Sequence, residues 1–135
     1  MKKGVLVVWI ASLMLVTGFY GCSKDPAKPV ITDFEIGKDN IHIVEQGDDL
    51  HIEARIEAEG KIDVVIVEIH FEGTGEGWEL DKTYTEFKGL KNAHFHKHVD
   101  VPADAALGEY HLHFKVRDQE GNEVKVEGEF EVIEP

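Results

Sequence analysis

Histidine is the residue of this chain best suited to chemistry. Seven of its eight histidines fall at alternate positions of apolar runs. His94, His96 and His98 alternate in NAHFHKHVD, and His111 and His113 alternate in EYHLHFKVR. His51 stands in LHIEARIEA and His70 in DVVIVEIHFE. Neutral imidazole suits Zn, Cu or Ni, whereas Ca²⁺ and Mg²⁺ want oxygen ligands. Glu53, Glu68 and Asp100 share the histidine parity and can add an oxygen ligand or an orienting acceptor.

The spacing also says which elements must hold these side chains. Alternation of period two marks a strand with one buried and one wet face. Leu50, Ile52, Ala54, Ile56 and Ala58 form one inward set, and Val65, Val67, Ile69 and Phe71 another. Phe95, Val99 and Val101 point inward with Lys97, as do Tyr110, Leu112, Phe114 and Val116 on the next run and Val124, Val126, Phe130 and Val132 on the last. The histidines take the opposite, wet parity throughout.

Turn signals divide residues 29–135 into strands at 29–36, 41–45, 50–58, 63–72, an irregular edge segment at 78–87, then 92–101, 109–118 and 123–133. Within the loop at 102–108, Ala103 to Ala106 are expected to make one helical turn. Nothing in the mature chain sustains a 3.6-residue period. The expected fold is therefore all-β, an immunoglobulin-like antiparallel β-sandwich of seven to eight strands. Leu107-Gly108-Glu109-Tyr110 has the form of a tyrosine corner entering the penultimate strand.

That topology sorts the histidines. Strand 50–58 lies beside 92–101 in one sheet, and 63–72 beside 109–118 in the other. The first candidate cluster is His70, His111 and His113; the second is His51, His94, His96 and His98. Same-face neighbours lie about 6.6 Å apart along a strand and about 4.8 Å across strands. Imidazoles from such positions can converge on one ion at a Zn–N bond of about 2.0–2.1 Å. Two plainer readings stand beside this one: histidines tolerated on wet strand faces, and a group of imidazoles that charge together on acidification.

The N-terminus gives the cellular address. Lys2 and Lys3 precede an apolar stretch from Val5 to Val16, too short to span a bilayer comfortably, and Gly21-Cys22 follows. Residues 1–21 therefore read as a lipoprotein signal peptide, with Cys22 lipidated at the start of a short tether, 22–28. Phe19 and Tyr20 depart from the usual lipobox. Ser23 after the cysteine fits outer-membrane delivery, facing either the periplasm or the surface. Loss of Lys2 and Lys3 takes the formal charge from −13 to −15, which repels nucleic acid and attracts cations. No second cysteine exists for a disulfide or a thiolate site.

Catalysis is not expected. Ser23, in the tether, is the only serine after the signal peptide, so a Ser–His nucleophile has no candidate. A competing function is a non-catalytic surface module for a protein or glycan, with Trp78, Tyr84 and Phe87 as an aromatic patch on the irregular edge.

The strings LHIEARIEA, IDVVIVEIHFEG, WELDKTYT and GLKNAHFHKHVDVPADAALGEYHLHFKVRDQEGNE, with the lipobox, resemble the bacterial lipoprotein family of domain of unknown function 4625. The resemblance covers essentially the whole mature chain. It implies an Ig-like domain on a lipid anchor, mainly in Bacteroidetes-type bacteria, and no established activity.

Overall fold

The computed structural model describes residues 27–135; the expected signal peptide, residues 1–21, and the expected lipidation site, Cys22, lie outside them. Eight strands form: β1 (Val30–Ile36), β2 (Ile43–Glu45), β3 (Asp49–Glu57), β4 (Ile62–Phe71), β5 (Leu80–Tyr84), β6 (Asn92–Asp100), β7 (Gly108–Asp118) and β8 (Glu123–Ile133). They assemble into a three-stranded sheet of order β1-β3-β6 and a five-stranded sheet of order β2-β8-β7-β4-β5. The β1-β3-β6 and β8-β7-β4 pairings are those of the expected immunoglobulin-like sandwich. The β3–β6 and β4–β7 neighbours are those expected from the sequence.

The alternation works as read. Leu50, Ile52, Ala54 and Ile56 of β3 are buried, as are Val65, Val67 and Ile69 of β4 and Tyr110, Leu112, Phe114 and Val116 of β7. With no disulfide between the sheets, an aromatic chain joins them. Phe95 of β6 packs edge-on against Phe114 of β7 at 4.9 Å between ring centres, and Phe34 of β1 meets Phe114 at 5.5 Å.

Three local features depart from the expected pattern. The sandwich is not wholly antiparallel, because β2 pairs parallel with β8. Residues with positive φ make this switch between sheets: Gly37 at 80°, Asp39 at 53°, Asn40 at 56° and His42 at 58°. They carry the chain off the end of β1 and onto the far edge of the other sheet. His42 therefore belongs to a turn, with Nδ1 2.7 Å from the Glu129 carbonyl and Nε2 2.9 Å from Asn40 Oδ1. The turn at Ala103–Ala106 is held by Ala105 N–H donating to the Pro102 carbonyl at 3.1 Å and is not helical.

The edge segment is the third departure. Only Leu80–Tyr84 pairs with β4, after which the chain crosses toward β6. Of the three residues of the expected aromatic patch, Tyr84 is buried, whereas Trp78 and Phe87 are half-buried. Tyr84 is buried against Phe95, Phe87 also packs on Phe95, and Trp78 packs on Tyr110. The physical reason is that a sandwich end without a fourth strand beside β6 needs these rings to close its core.

Two hydroxyls in this core have opposite fates. Tyr110 donates to the Ala106 carbonyl at 2.8 Å, which completes the tyrosine corner. The Tyr84 hydroxyl is buried without a partner among the described residues. Removing a made hydrogen bond costs, whereas removing a buried unsatisfied hydroxyl does not. Tyr110→Phe is expected to lower unfolding stability by about 1 kcal/mol, and Tyr84→Phe to leave it unchanged or raise it. Urea melts of the two variants check the contrast.

Candidate metal centre

On the outer face of the three-stranded sheet, register brings the ligands together. His51 lies directly opposite His98, Glu53 opposite His96, and Arg55 opposite His94. His51 rests edge-on against both His96 and His98, with ring centres 4.7 and 5.2 Å apart. His51, His96 and His98 each offer a nitrogen such that all three lie within 4.8 Å of one another. Glu53, His94 and His96 form a second such trio, and Glu35, His51 and Glu53 a third.

Carboxylates orient these rings. Asp49, at the start of β3, pairs with His98 Nδ1, which leaves Nε2 as the lone-pair nitrogen of that ring. Glu53 bridges two rings, with Oε2 3.2 Å from His51 Nε2 and Oε1 2.5 Å from His94 Nε2. The hydrogen bond from His94 holds the Glu53 carboxyl below the usual carboxylate range, opposed in part by desolvation, and the His51 hydrogen bond adds a smaller lowering. Among the described residues, no lysine or arginine bonds to any of these groups. Arg55, the cation on that face, turns to Asp33 at 3.3 Å, and Lys97 points inward over the Tyr84 and Phe87 rings.

The outer face of the five-stranded sheet is organised differently. His70 stands opposite His111, and His113 lies between Glu68 and Glu127. Yet the three imidazoles do not gather at one point. His70 and His113 group with Glu68, while His111 and His113 group with Glu127. His111 is drawn to Glu127 at 2.8 Å and Glu72 at 3.7 Å. Both central carboxylates already hold a lysine: Lys115 Nζ sits 2.9 and 2.8 Å from the Glu68 oxygens, and Lys125 Nζ 2.6 Å from Glu127. Lys115 is the first cause of the lowered Glu68 carboxyl, and Lys125, ahead of His111, that of Glu127. A metal ion here must displace ammonium groups. On the other sheet it displaces at most protons.

These shifts have opposite consequences for stability. Glu53, Glu68 and Glu127 are lowered in the folded chain, so their stabilisation is complete above the ordinary carboxylate range. It is lost as pH falls through their lowered values. Glu109 is the reverse. Its carboxyl is raised, first by its hydrogen bond with Glu129 and by that group's charge, with Glu72 and Glu131 adding repulsion. As pH rises through the ordinary range the unfolded chain loses this proton first, so stability falls. Glu109→Gln is expected to raise the melting temperature at pH 7 and to leave it near wild type at about pH 3, as paired thermal melts will show.

Sequence parity missed three participants: Asp49, Glu35 and Glu127. Asp49 and Glu127 share the wet parity of their strands and were legible in principle. Glu35 was not, because a bulge between Thr32 and Glu35 resets the β1 register that places it opposite Glu53. Asp118, in the β7–β8 hairpin, accepts from the Glu120 and Asn122 backbone and from Asn122 Nδ2, so its oxygens are occupied by the turn itself.

Comparison with known proteins bears on fold and family. The chain is similar to wild-type OgpA from Akkermansia muciniphila, with a TM-score of 0.59 and 11% identity over 80% of this chain and 29% of that one. It is also similar to the alkylpurine DNA glycosylase AlkC of Pseudomonas fluorescens, crystallised with DNA containing an abasic site analog. There the TM-score is 0.52 and the identity 15%, over 78% of this chain and 30% of that one. The chain spans less than a third of either protein's length, and the likeness is one of fold. No curated protein matches. The family described as a domain of unknown function, DUF4625, matches over residues 20–133, and the chain belongs to that family.

Proposed function

We propose that the protein is a lipid-anchored, non-catalytic protein of the bacterial outer membrane that binds a divalent transition metal on the β3–β6 face. The anchor rests on the sequence alone: the Lys2-Lys3 start, the short apolar stretch and Gly21-Cys22. The metal reading rests on one observation. His51, His96 and His98 offer three nitrogens within 4.8 Å of one another, on a face where no lysine or arginine among the described residues bonds to them. Three imidazoles with open solvent on the fourth side suit Zn²⁺, Cu²⁺ or Ni²⁺. The exposure of the rings fits reversible loading better than a permanent structural ion, which proteins normally enclose with four ligands.

The untagged protein, titrated with Zn²⁺, Cu²⁺ and Ni²⁺ under equilibrium dialysis and elemental analysis, is expected to bind at least one of them tighter than about 10 µM, or roughly −7 kcal/mol. Binding weaker than that for all three metals overturns the reading. Capture of an envelope protein or glycan that survives chelation, with no metal bound, would replace it by a binding module with solvated histidines.

A further inference from the structure

The ligands on the β3–β6 face repeat. His51 and its direct partner His98 combine with the diagonal His96; one same-face step along, Glu53 and its direct partner His96 combine with the diagonal His94. The two trios are the same geometric unit shifted by two residues on both strands, and His96 belongs to both. We infer that this face holds two divalent ions side by side, with His96 common to both positions as an imidazolate that gives one ring nitrogen to each ion and releases its N–H proton to solvent. This deepens the metal reading above and rests on it.

The two positions differ in chemistry. The first is all imidazole and selects Zn²⁺, Cu²⁺ or Ni²⁺. The second joins two imidazoles, His94 and His96, to the Glu53 carboxylate, with Glu35 within reach of Glu53 and His51 in the third trio. Oxygen ligands admit harder ions, so Mn²⁺ and Fe²⁺ become acceptable there alongside Zn²⁺. Two dications about 7 Å apart, one same-face repeat, repel enough to weaken the second by about 50-fold even at the dielectric of water. Loading is therefore sequential, nitrogen position first.

Zn²⁺ alone is the probe, with ions counted by native mass spectrometry and affinities by calorimetry on the whole protein. Counting ions lost relative to wild type makes the result independent of anything bound on the other sheet. His96→Ala is expected to lose two ions, His94→Ala one weak ion, and His98→Ala the tight one. All three side chains are exposed, and circular dichroism of each variant confirms that the fold is kept. If His94→Ala loses no ion, or if His94→Ala and His98→Ala both weaken a single tight ion, the face holds one ion and the inference is overturned while the metal reading stands. If His96→Ala and His98→Ala lose nothing, both fall together.

Discussion

Phe95→Ala is expected to lower unfolding stability by about 3–5 kcal/mol, the largest effect of any single substitution considered. Phe95 is fully buried. Its ring meets Tyr84 at 5.0 Å, Phe87 at 5.6 Å and Phe114 at 4.9 Å. It thus ties the edge strand β6 to the crossing segment and to the opposite sheet at once. Truncation removes the transfer free energy of the ring and leaves a cavity that three rigid aromatics cannot fill by small adjustments. Against a typical total of about 5–15 kcal/mol, this leaves a marginal domain. A drop in the urea midpoint at unchanged slope confirms it; a loss under about 1 kcal/mol would show that β6 is held by its β3 ladder alone. Phe95→Leu keeps much of the volume and is expected to lose less than half as much.

The prediction bears on the candidate site because Phe95 lies between His94 and His96 on β6, pointing the other way. The parity that buries Phe95 is the parity that exposes the histidines. This much was legible in the sequence: alternation is a local property, and each residue's face follows from its neighbours two positions away. Pairing of β3 with β6 and of β4 with β7 followed from topology. Register did not, since it depends on contacts between distant segments and on bulges such as the one at Thr32/Glu35. Parity placed His70, His111 and His113 together as the first cluster, yet His113 is shared between two groupings, with His70 and Glu68 on one side and with His111 and Glu127 on the other. Trp78, Tyr84 and Phe87 lack clean alternation, and the packing of Tyr84 and Phe87 on Phe95 and of Trp78 on Tyr110 depends on contacts between distant segments.

The second large effect distinguishes the two histidine faces. His51, His96 and His98 replaced together by Ala are expected to weaken Zn²⁺ binding at least 100-fold, about 2.7 kcal/mol, because they supply every nitrogen of the tight position. His70, His111 and His113 replaced together are expected to change it less than threefold. The reason is competition. Glu68 and Glu127, the carboxylates that would complete a site there, are held by Lys115 at 2.8 Å and Lys125 at 2.6 Å. An incoming dication must break these pairs and sit close to two ammonium groups. On the β3–β6 face Glu53 accepts only from imidazoles, which a metal replaces by expelling protons. Protons and metal then compete for the same lone pairs, so affinity falls on acidification to about pH 5. Calorimetry of both triple variants at neutral and acid pH tests the assignment. A greater loss from the β4–β7 substitutions would move the site to the five-stranded sheet and show that a metal ion out-competes both lysines.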